Sequence, residues 1–359
     1  MKEDRKLHID LLRIVACISV IMLHSASQYW YEFPVTDARW MVYNTWDAVS
    51  RFGVPVFVMI SGMLFLSREG ELNLRKLYCN NILRLAVAYA VWSIAYGLWD
   101  CREWTWGPGV TVRDYVAECV LGRYHLWFIP MLIGIYMLLP VIKTFTNHCS
   151  KKNLEYFLIL FIILQIGRST LGIIQIPTLA NVLVQLLDAE MVCSYVGYFV
   201  LGYYLYRYRL SHVWQVRIYF LGAVSLVLAA IISIRASWYY QTPKSEAFDS
   251  YSVFTFLVTV AVFVFFQEKI SGIAWKGFAK KLLMELSANT FGVYLLHLMV
   301  MEWLQTKGID SLMIGGTIAG ETTAGCVLGI PLLTIVSFLI SNVAISLLRR
   351  IPLLGKYIC

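Results

Sequence analysis

The sequence predicts an all-α, polytopic integral membrane protein of about ten transmembrane helices with both termini in the cytoplasm. Two observations carry the class. The chain is 59% hydrophobic and only 14% charged, against about 25% charged residues in an ordinary soluble domain. Its apolar residues also gather into runs of the ~17–25 residues that a bilayer demands. A third observation orients those runs. With the N-terminus inside, nineteen of the thirty Lys and Arg fall on cytoplasmic segments, seven on external ones and four within spans, as the positive-inside rule requires. The formal charge of +8 follows from this placement and is no sign of nucleic-acid binding.

The expected spans run near residues 9–28, 48–66, 82–99, 125–142, 154–174, 190–206, 215–234, 251–267, 286–305 and 323–348. The first has no small-residue cleavage site after it, so it reads as a retained span rather than a signal peptide. The second opens on Arg51 and a Gly53/Pro55 break. It carries Ser61-Gly62 near its other end, small residues of the kind that let helices pack closely. Arg84 opens the third span, and His125 and Trp127 open the fourth. Gln165 and Arg168 interrupt the fifth, and Asp188 and Glu190 abut the sixth. The external segments 29–47 and 100–124 are rich in Trp and Tyr. Trp99, Trp104 and Trp106 read as an interfacial belt or as a sugar-stacking surface. No loop exceeds about 25 residues, so residues 1–359 read as one transmembrane domain with no soluble domain appended.

The eight cysteines include no CxxC and no Cys/His grouping at zinc spacing, so no metal site is expected. HExxH, GxSxG and P-loop motifs are missing as well. Cys101 and Cys119 share one external segment, where they are either bridged or two thiols.

The chemistry centres on the first span, HIDLLRIVACISVIMLHS, residues 8–25. At about 100° and 1.5 Å per residue, Arg13 and His24 lie about 20° apart around the axis and about 16 Å apart along it. Asp10 precedes Arg13 by three residues on the same face. Ionisable groups at membrane depth are costly and mark interior or functional positions. The stripe is therefore a working site or a buried structural pair with a satisfied histidine. His297, in SANTFGVYLLHLMV, lies about as deep from the cytoplasmic side as His24. The two could meet in one cavity, or His297 could be a packing residue. Tyr294 shares its face. Arg84 is a site residue or a snorkelling arginine. His125, beside Trp127 at the outer face, is an outward-facing acceptor contact or an ordinary interface residue.

Four motifs then fall in series: Arg-x10-His in DLLRIVACISVIMLH, VFVMISGMLF, YHLWFIPMLIGIYMLLP and FGVYLLHLMV. Together they resemble the acyltransferase family 3 membrane proteins over essentially the whole chain. The resemblance implies transfer of an acyl group, acetyl above all, from cytoplasmic acetyl-CoA. The acceptor would be a hydroxyl on a cell-surface glycan, a lipid-linked sugar or another small molecule, and the setting a bacterial inner membrane. It makes Arg13 and His24 the catalytic signature, with Arg84 as the arginine after the second span. Leu132-Ile133 stand where many members carry a Glu-Glu pair, and Asn80-Asn81 where basic residues are common. Both departures point to the single-domain branch resembling enterobacterial common antigen O-acetyltransferase.

An imidazole, with an ordinary pKa of about 6.5, can take a proton from a hydroxyl. A guanidinium can hold a carbonyl oxygen, an oxyanion or a phosphate. The expected catalytic set is accordingly His24 as base or transient acyl carrier, Arg13 held by Asp10, and His297 with Tyr294. The basic rim of Arg75, Lys76, Arg84, Lys276, Lys280 and Lys281 would receive the CoA phosphates, and His125 and Trp127 the acceptor. The rival classes are a transporter of a small solute or lipid-linked intermediate, which usually shows paired repeats or broken helices, and a sensor or scaffold protein.

Overall fold

The computed structural model describes residues 6–101, 112–173, 190–309 and 323–357, which are helical with no strand among them. The principal helices are α1 (Leu7–Ser27), α2 (Ala38–Ser50), α3 (Gly53–Leu66), α4 (Leu83–Cys101), α5 (Val112–Leu121), α6 (Phe128–His148), α7 (Lys151–Phe161), α8 (Arg168–Ile173), α9 (Glu190–Arg207), α10 (His212–Tyr240), α11 (Val253–Phe265), α12 (Gly277–Thr306), α13 (Thr323–Leu348) and α14 (Pro352–Tyr357). Among the described residues nine helical stretches are long and apolar enough to cross a membrane. Helix α9, interrupted by non-helical backbone at Ser194, occupies the expected sixth span and is not among those nine. The chain is an all-α polytopic membrane protein.

Local chemistry sets the helix starts. The side chains of Asp37, Ser150 and Ser252 accept hydrogen bonds from Arg39 N, Asn153 N and Thr255 N, capping α2, α7 and α11. Asn73 does the same for a short turn that runs through the π-helical Leu77–Ile82 into α4. A second π-helical turn, Ile162–Gly167, joins α7 to α8, so the helix runs on through Gln165 and Arg168.

The second span starts ten residues earlier than expected. Half of the segment read as an external loop is helix α2, and Arg51 stands at the α2–α3 joint rather than at a membrane edge. The reason is an ion pair. Asp47, 1% exposed, takes both Arg51 Nε and Nη2 at 2.7 and 2.6 Å, so the arginine is neutralised one turn from its own backbone. Segment 100–124 likewise contains α5. Trp99 is no simple belt residue, since its indole donates to Glu302 Oε2 at 2.9 Å. Trp104 and Trp106 lie outside the described residues.

The helices form two compact units. The first comprises Met1–Arg68, Cys149–Ala288 and Leu304–Val336, the second Glu69–His148, Asn289–Trp303 and Ser337–Cys359. In the first unit α3 and α9 cross on reciprocal glycines. A Cβ on Gly62 would stand 1.7 Å from the Phe199 carbonyl oxygen, and one on Gly202 2.1 Å from that of Met59. The Ser61-Gly62 pair thus serves close packing, as its composition suggests. At one end of this unit Trp40 donates to the Trp30 carbonyl at 3.0 Å and Trp238 to that of Val35 at 2.8 Å. These bonds close the α1–α2 connection over a core of Trp30, Val35, Trp40 and Phe248.

In the second unit α4 packs against α5, where the Cys119 sulfur sits over Gly97, 2.5 Å from where its Cβ would stand. Cys119 carries a free thiol, and the side chain of Cys101, its expected partner, lies outside the described residues. Asn289 donates to Ser346 Oγ at 2.8 Å and accepts from Arg349 Nη1 at 2.6 Å, which sets α12 antiparallel to α13 within this unit.

Candidate active site

The polar face of α1 belongs to the first unit, and exposure along it is graded. Asp10 is buried at 4%, while Arg13 and His24 are each partly accessible. Ser287 on α12 donates its hydroxyl to Asp10 Oδ1 at 2.7 Å. Arg13 Nη1 stands 4.0 Å from the same oxygen, the loosest separation that counts as an ion pair. The expected Asp10–Arg13 pairing is present, and the carboxylate is also held by a serine from a helix far along the chain.

Helix α1 is continuous from Leu7 to Ser27, and its side chains lean toward its N-terminus. The spacing of Arg13 and His24 is therefore kept at about 16 Å along the axis. No single atom can be reached by both. One residue beyond His24, Ser25 is buried and accepts a hydrogen bond from Thr334 Oγ1 at 3.3 Å, which ties this end of α1 to α13.

The second unit gathers a buried aromatic cluster. His297, 0% exposed, and His125, 2% exposed, stand with ring centroids 5.4 Å apart and planes at 89°. Tyr96 lies edge-on to His125 at 5.0 Å and Tyr294 at 5.8 Å. His125 comes from the 3-10 turn Tyr124–Trp127 that leads into α6, Tyr96 from α4, and His297 and Tyr294 from α12. Tyr96 donates to the Leu295 carbonyl at 2.8 Å, and the Tyr294 hydroxyl donates to the His125 carbonyl.

This corrects the reading of His125 as outward-facing, because it points into the unit and meets His297. The short 3-10 turn separates it from Trp127, which is 46% exposed. The sequence had marked the two as one surface. Close by along the same elements, Arg123 bridges two carboxylates. It donates to Asp100 Oδ2 at 2.6 Å and to Glu302 Oε1.

A family described as an acyltransferase domain, acyltransferase family 3, matches residues 7–348, from the first residue of α1 to the last of α13. The chain belongs to acyltransferase family 3. No curated protein and no solved structure matches it.

In this acyltransferase the residues read as donor-binding divide between the units. Arg75, Lys76 and Arg84 lie in the second, Lys280 and Lys281 in the first. Arg75, Lys76, Lys280 and Lys281 are exposed, whereas Arg84 is half-buried with its guanidinium 5.5 Å from the centre of the Phe291 ring. Leu132 is buried at 6%. His24 and His297 fall in different units.

Sequence reasoning missed Ser287, Tyr96, Arg123 and Glu302. Nothing local distinguishes Ser287 or Tyr96 from their many neighbours of the same type. Arg123 with Asp100 and Glu302 was readable only as isolated charges near span ends. The Asp47–Arg51 pair did have a signal, four-residue spacing of opposite charges.

Proposed function

We propose that this acyltransferase moves an acyl group, acetyl in the first instance, from cytoplasmic acyl-CoA to a hydroxyl of a cell-surface glycan, lipid-linked sugar or other small acceptor. We place the work in the bacterial cytoplasmic membrane. The observation that carries the reading is the graded face of α1 in a chain of this family: the acid is sealed, while Arg13 and His24 stay accessible.

In this reading His24 acts as general base toward the hydroxyl or as transient acyl acceptor. The 16 Å spacing gives Arg13 a separate part of the donor, an anionic phosphate rather than the reacting carbonyl. Asp10, fixed by Ser287, limits the arginine's freedom. Of the cations assigned to the donor, Arg84 is the least exposed, with its guanidinium over the Phe291 ring, and Arg75, Lys76, Lys280 and Lys281 add attraction from exposed positions. The apolar Leu132-Ile133 pair supports the branch resembling enterobacterial common antigen O-acetyltransferase, and with it acetyl as the acyl group.

The test uses the purified chain with acetyl-labelled acetyl-CoA. Release or transfer of the label by the parent, lost in His24→Ala that elutes as a folded protein, supports the assignment. Turnover by a well-folded His24→Ala removes that residue from the chemistry. Solute uptake into proteoliposomes without any consumption of label would favour a transporter.

A further inference from the structure

The last turns of α10 border a recess in the first unit. Ser233, Ala236 and Tyr240 line it together with Gly172 near the end of α8, and Lys244 and Glu246 complete the lining. It measures about 300 Å³ with its open mouth, and about 30 Å³ takes the centres of water-sized groups. One water needs about 10–15 Å³ by that measure. The inner part therefore holds a single substituent of a ligand whose body stays in the mouth. This is also the end of the unit where α1 runs out beyond His24. Trp238, two residues before Tyr240, donates to the Val35 carbonyl in the α1–α2 connection at 2.8 Å. The charge placement that orients the chain puts Lys244 outside.

The polar groups of the lining hold capacity that the fold leaves open. Ser233, 1% exposed, has one hydroxyl hydrogen and two acceptors for it, Asn44 Oδ1 at 2.8 Å and the Lys244 carbonyl at 2.5 Å. Its oxygen keeps lone-pair capacity for a donor arriving in the recess. Asn44 behind it is fully buried, and its Nδ2 has no hydrogen-bond partner among the described residues. Lys244 Nζ and Glu246 Oε1 stand 3.7 Å apart with both side chains partly exposed. So loose a pair leaves ammonium donors and carboxylate lone pairs for a ligand. The ammonium lies 5.0 Å from the centre of the Tyr240 ring.

Charge decides the ligand class. A phosphate or carboxylate drawn to Lys244 meets the Glu246 carboxylate, and a cation drawn to Glu246 meets the Lys244 ammonium. A neutral polyol meets neither repulsion, because each hydroxyl both donates and accepts. The C–H face of a pyranose also suits an aromatic ring and aliphatic walls.

We propose that this recess is a subsite for a neutral hexopyranose unit of the acceptor glycan. Lys244 and Glu246 read its hydroxyls, Tyr240 meets its ring face, and one substituent reaches Ser233. Its role for an acceptor rests on the acyl-transfer reading, whereas sugar binding itself does not.

Saturation-transfer NMR on the purified chain in phosphatidylcholine nanodiscs tests it. The probes are methyl α-glucoside, methyl β-glucoside, methyl galactoside and N-acetylglucosamine. At least one should bind saturably with a Kd of about 1 mM, an affinity open to a ligand of this size. Lys244→Met keeps the aliphatic stem but loses the donors, and should weaken that Kd about tenfold, the worth of one charge-assisted hydrogen bond. Gly172→Phe adds a ring to the lining from a position with nothing within 4 Å of its Cβ, and should abolish binding. Both should hold the parent's thermal midpoint. They stand on different elements, so either decides alone if the other fails to fold.

No saturable binding of any probe, or a parental Kd in either folded variant, overturns the subsite. Displacement of the bound sugar by inorganic phosphate or phosphoethanolamine also overturns it, in favour of an anion or lipid-headgroup site. A parent that binds sugar but consumes no acetyl-CoA overturns the acyl-transfer reading and the acceptor role. A parent that consumes acetyl-CoA but binds none of the probes overturns the subsite alone.

Discussion

The crossing of α3 and α9 makes a sharp prediction about Gly62→Ala. The new methyl would start 1.7 Å from the Phe199 carbonyl oxygen, half the 3.4 Å of ordinary contact. The obstacle is backbone, which cannot rotate away, so the helices must part by roughly the difference between those distances. Overpacking of this kind costs about 1–3 kcal/mol and more where no side chain can yield, and about 3 kcal/mol is expected here. Gly202→Ala, starting 2.1 Å from the Met59 carbonyl oxygen, should cost about 2 kcal/mol on the same scale.

The glycines are reciprocal. Each stands three residues after the residue whose carbonyl the other meets, so one parting accommodates both methyls. The double variant should then lose about 3 kcal/mol rather than 5, a coupling of about 2 kcal/mol between contacting sites. The assay is reversible unfolding of the purified protein by SDS in mixed micelles. Gly134→Ala serves as control, because nothing lies within 4 Å of its Cβ position and alanine is the better helix former by about 1 kcal/mol. Losses that simply add, within about 0.5 kcal/mol, would refute the shared crossing. A neutral Gly62→Ala would refute the close approach itself.

Three further outcomes are expected. Arg13→Lys should fail in acetyl transfer nearly as badly as Arg13→Ala, since lysine keeps the charge but not the planar fork; a lysine variant near the parent rate would reduce Arg13 to a point charge. Arg51→Met leaves Asp47 buried without its partner and should cost about 3–5 kcal/mol of unfolding free energy, most of it recovered when Asp47→Leu is added; equal losses in the single and double variants would contradict this. Asp37, at the α2 cap, is held below the usual carboxylate range chiefly by its side-chain hydrogen bond with Arg39. Its stabilisation is therefore full above the ordinary value of about 4 and fades as pH falls through the lower folded value. Thermal midpoints measured from pH 6 downward should drop less steeply in Asp37→Asn than in the parent, and parallel curves would exclude that role.

What the sequence revealed was whatever repeats at short range. Long apolar runs and the spread of lysines and arginines were enough for the class. The three- and eleven-residue spacings of Asp10, Arg13 and His24 defined the polar face of α1 because a helix turns that arithmetic into geometry. The second span was misjudged for a physical reason. An arginine inside a hydrophobic run looks like a boundary until its counter-charge one turn away is counted, and Asp47 had been assigned to a loop. His125 was placed outside because position in a span says how deep a residue lies but not which way a 3-10 turn will aim it. Ser287 and Tyr96 were invisible because their partners come from distant helices, and such contacts leave no local trace.

The anchoring of Asp10 has a consequence in time. Its partner Ser287 is 277 residues downstream, and at about 5–20 residues per second of synthesis it follows by roughly 14–55 s. During that interval α1 can already be delivered to the bilayer with a carboxylate and a guanidinium in its first two turns, where each costs less than the about 2.5–3.5 kcal/mol of a charge at the centre of an inserting helix. Arg13, three residues after Asp10, and Lys6, four residues before it, are counter-charges that emerge together with it. The loose contact in the finished protein thus reads as the remnant of an escort. The nascent helix enters with the acid and the arginine beside each other, and Ser287 reaches the acid only when α12 arrives.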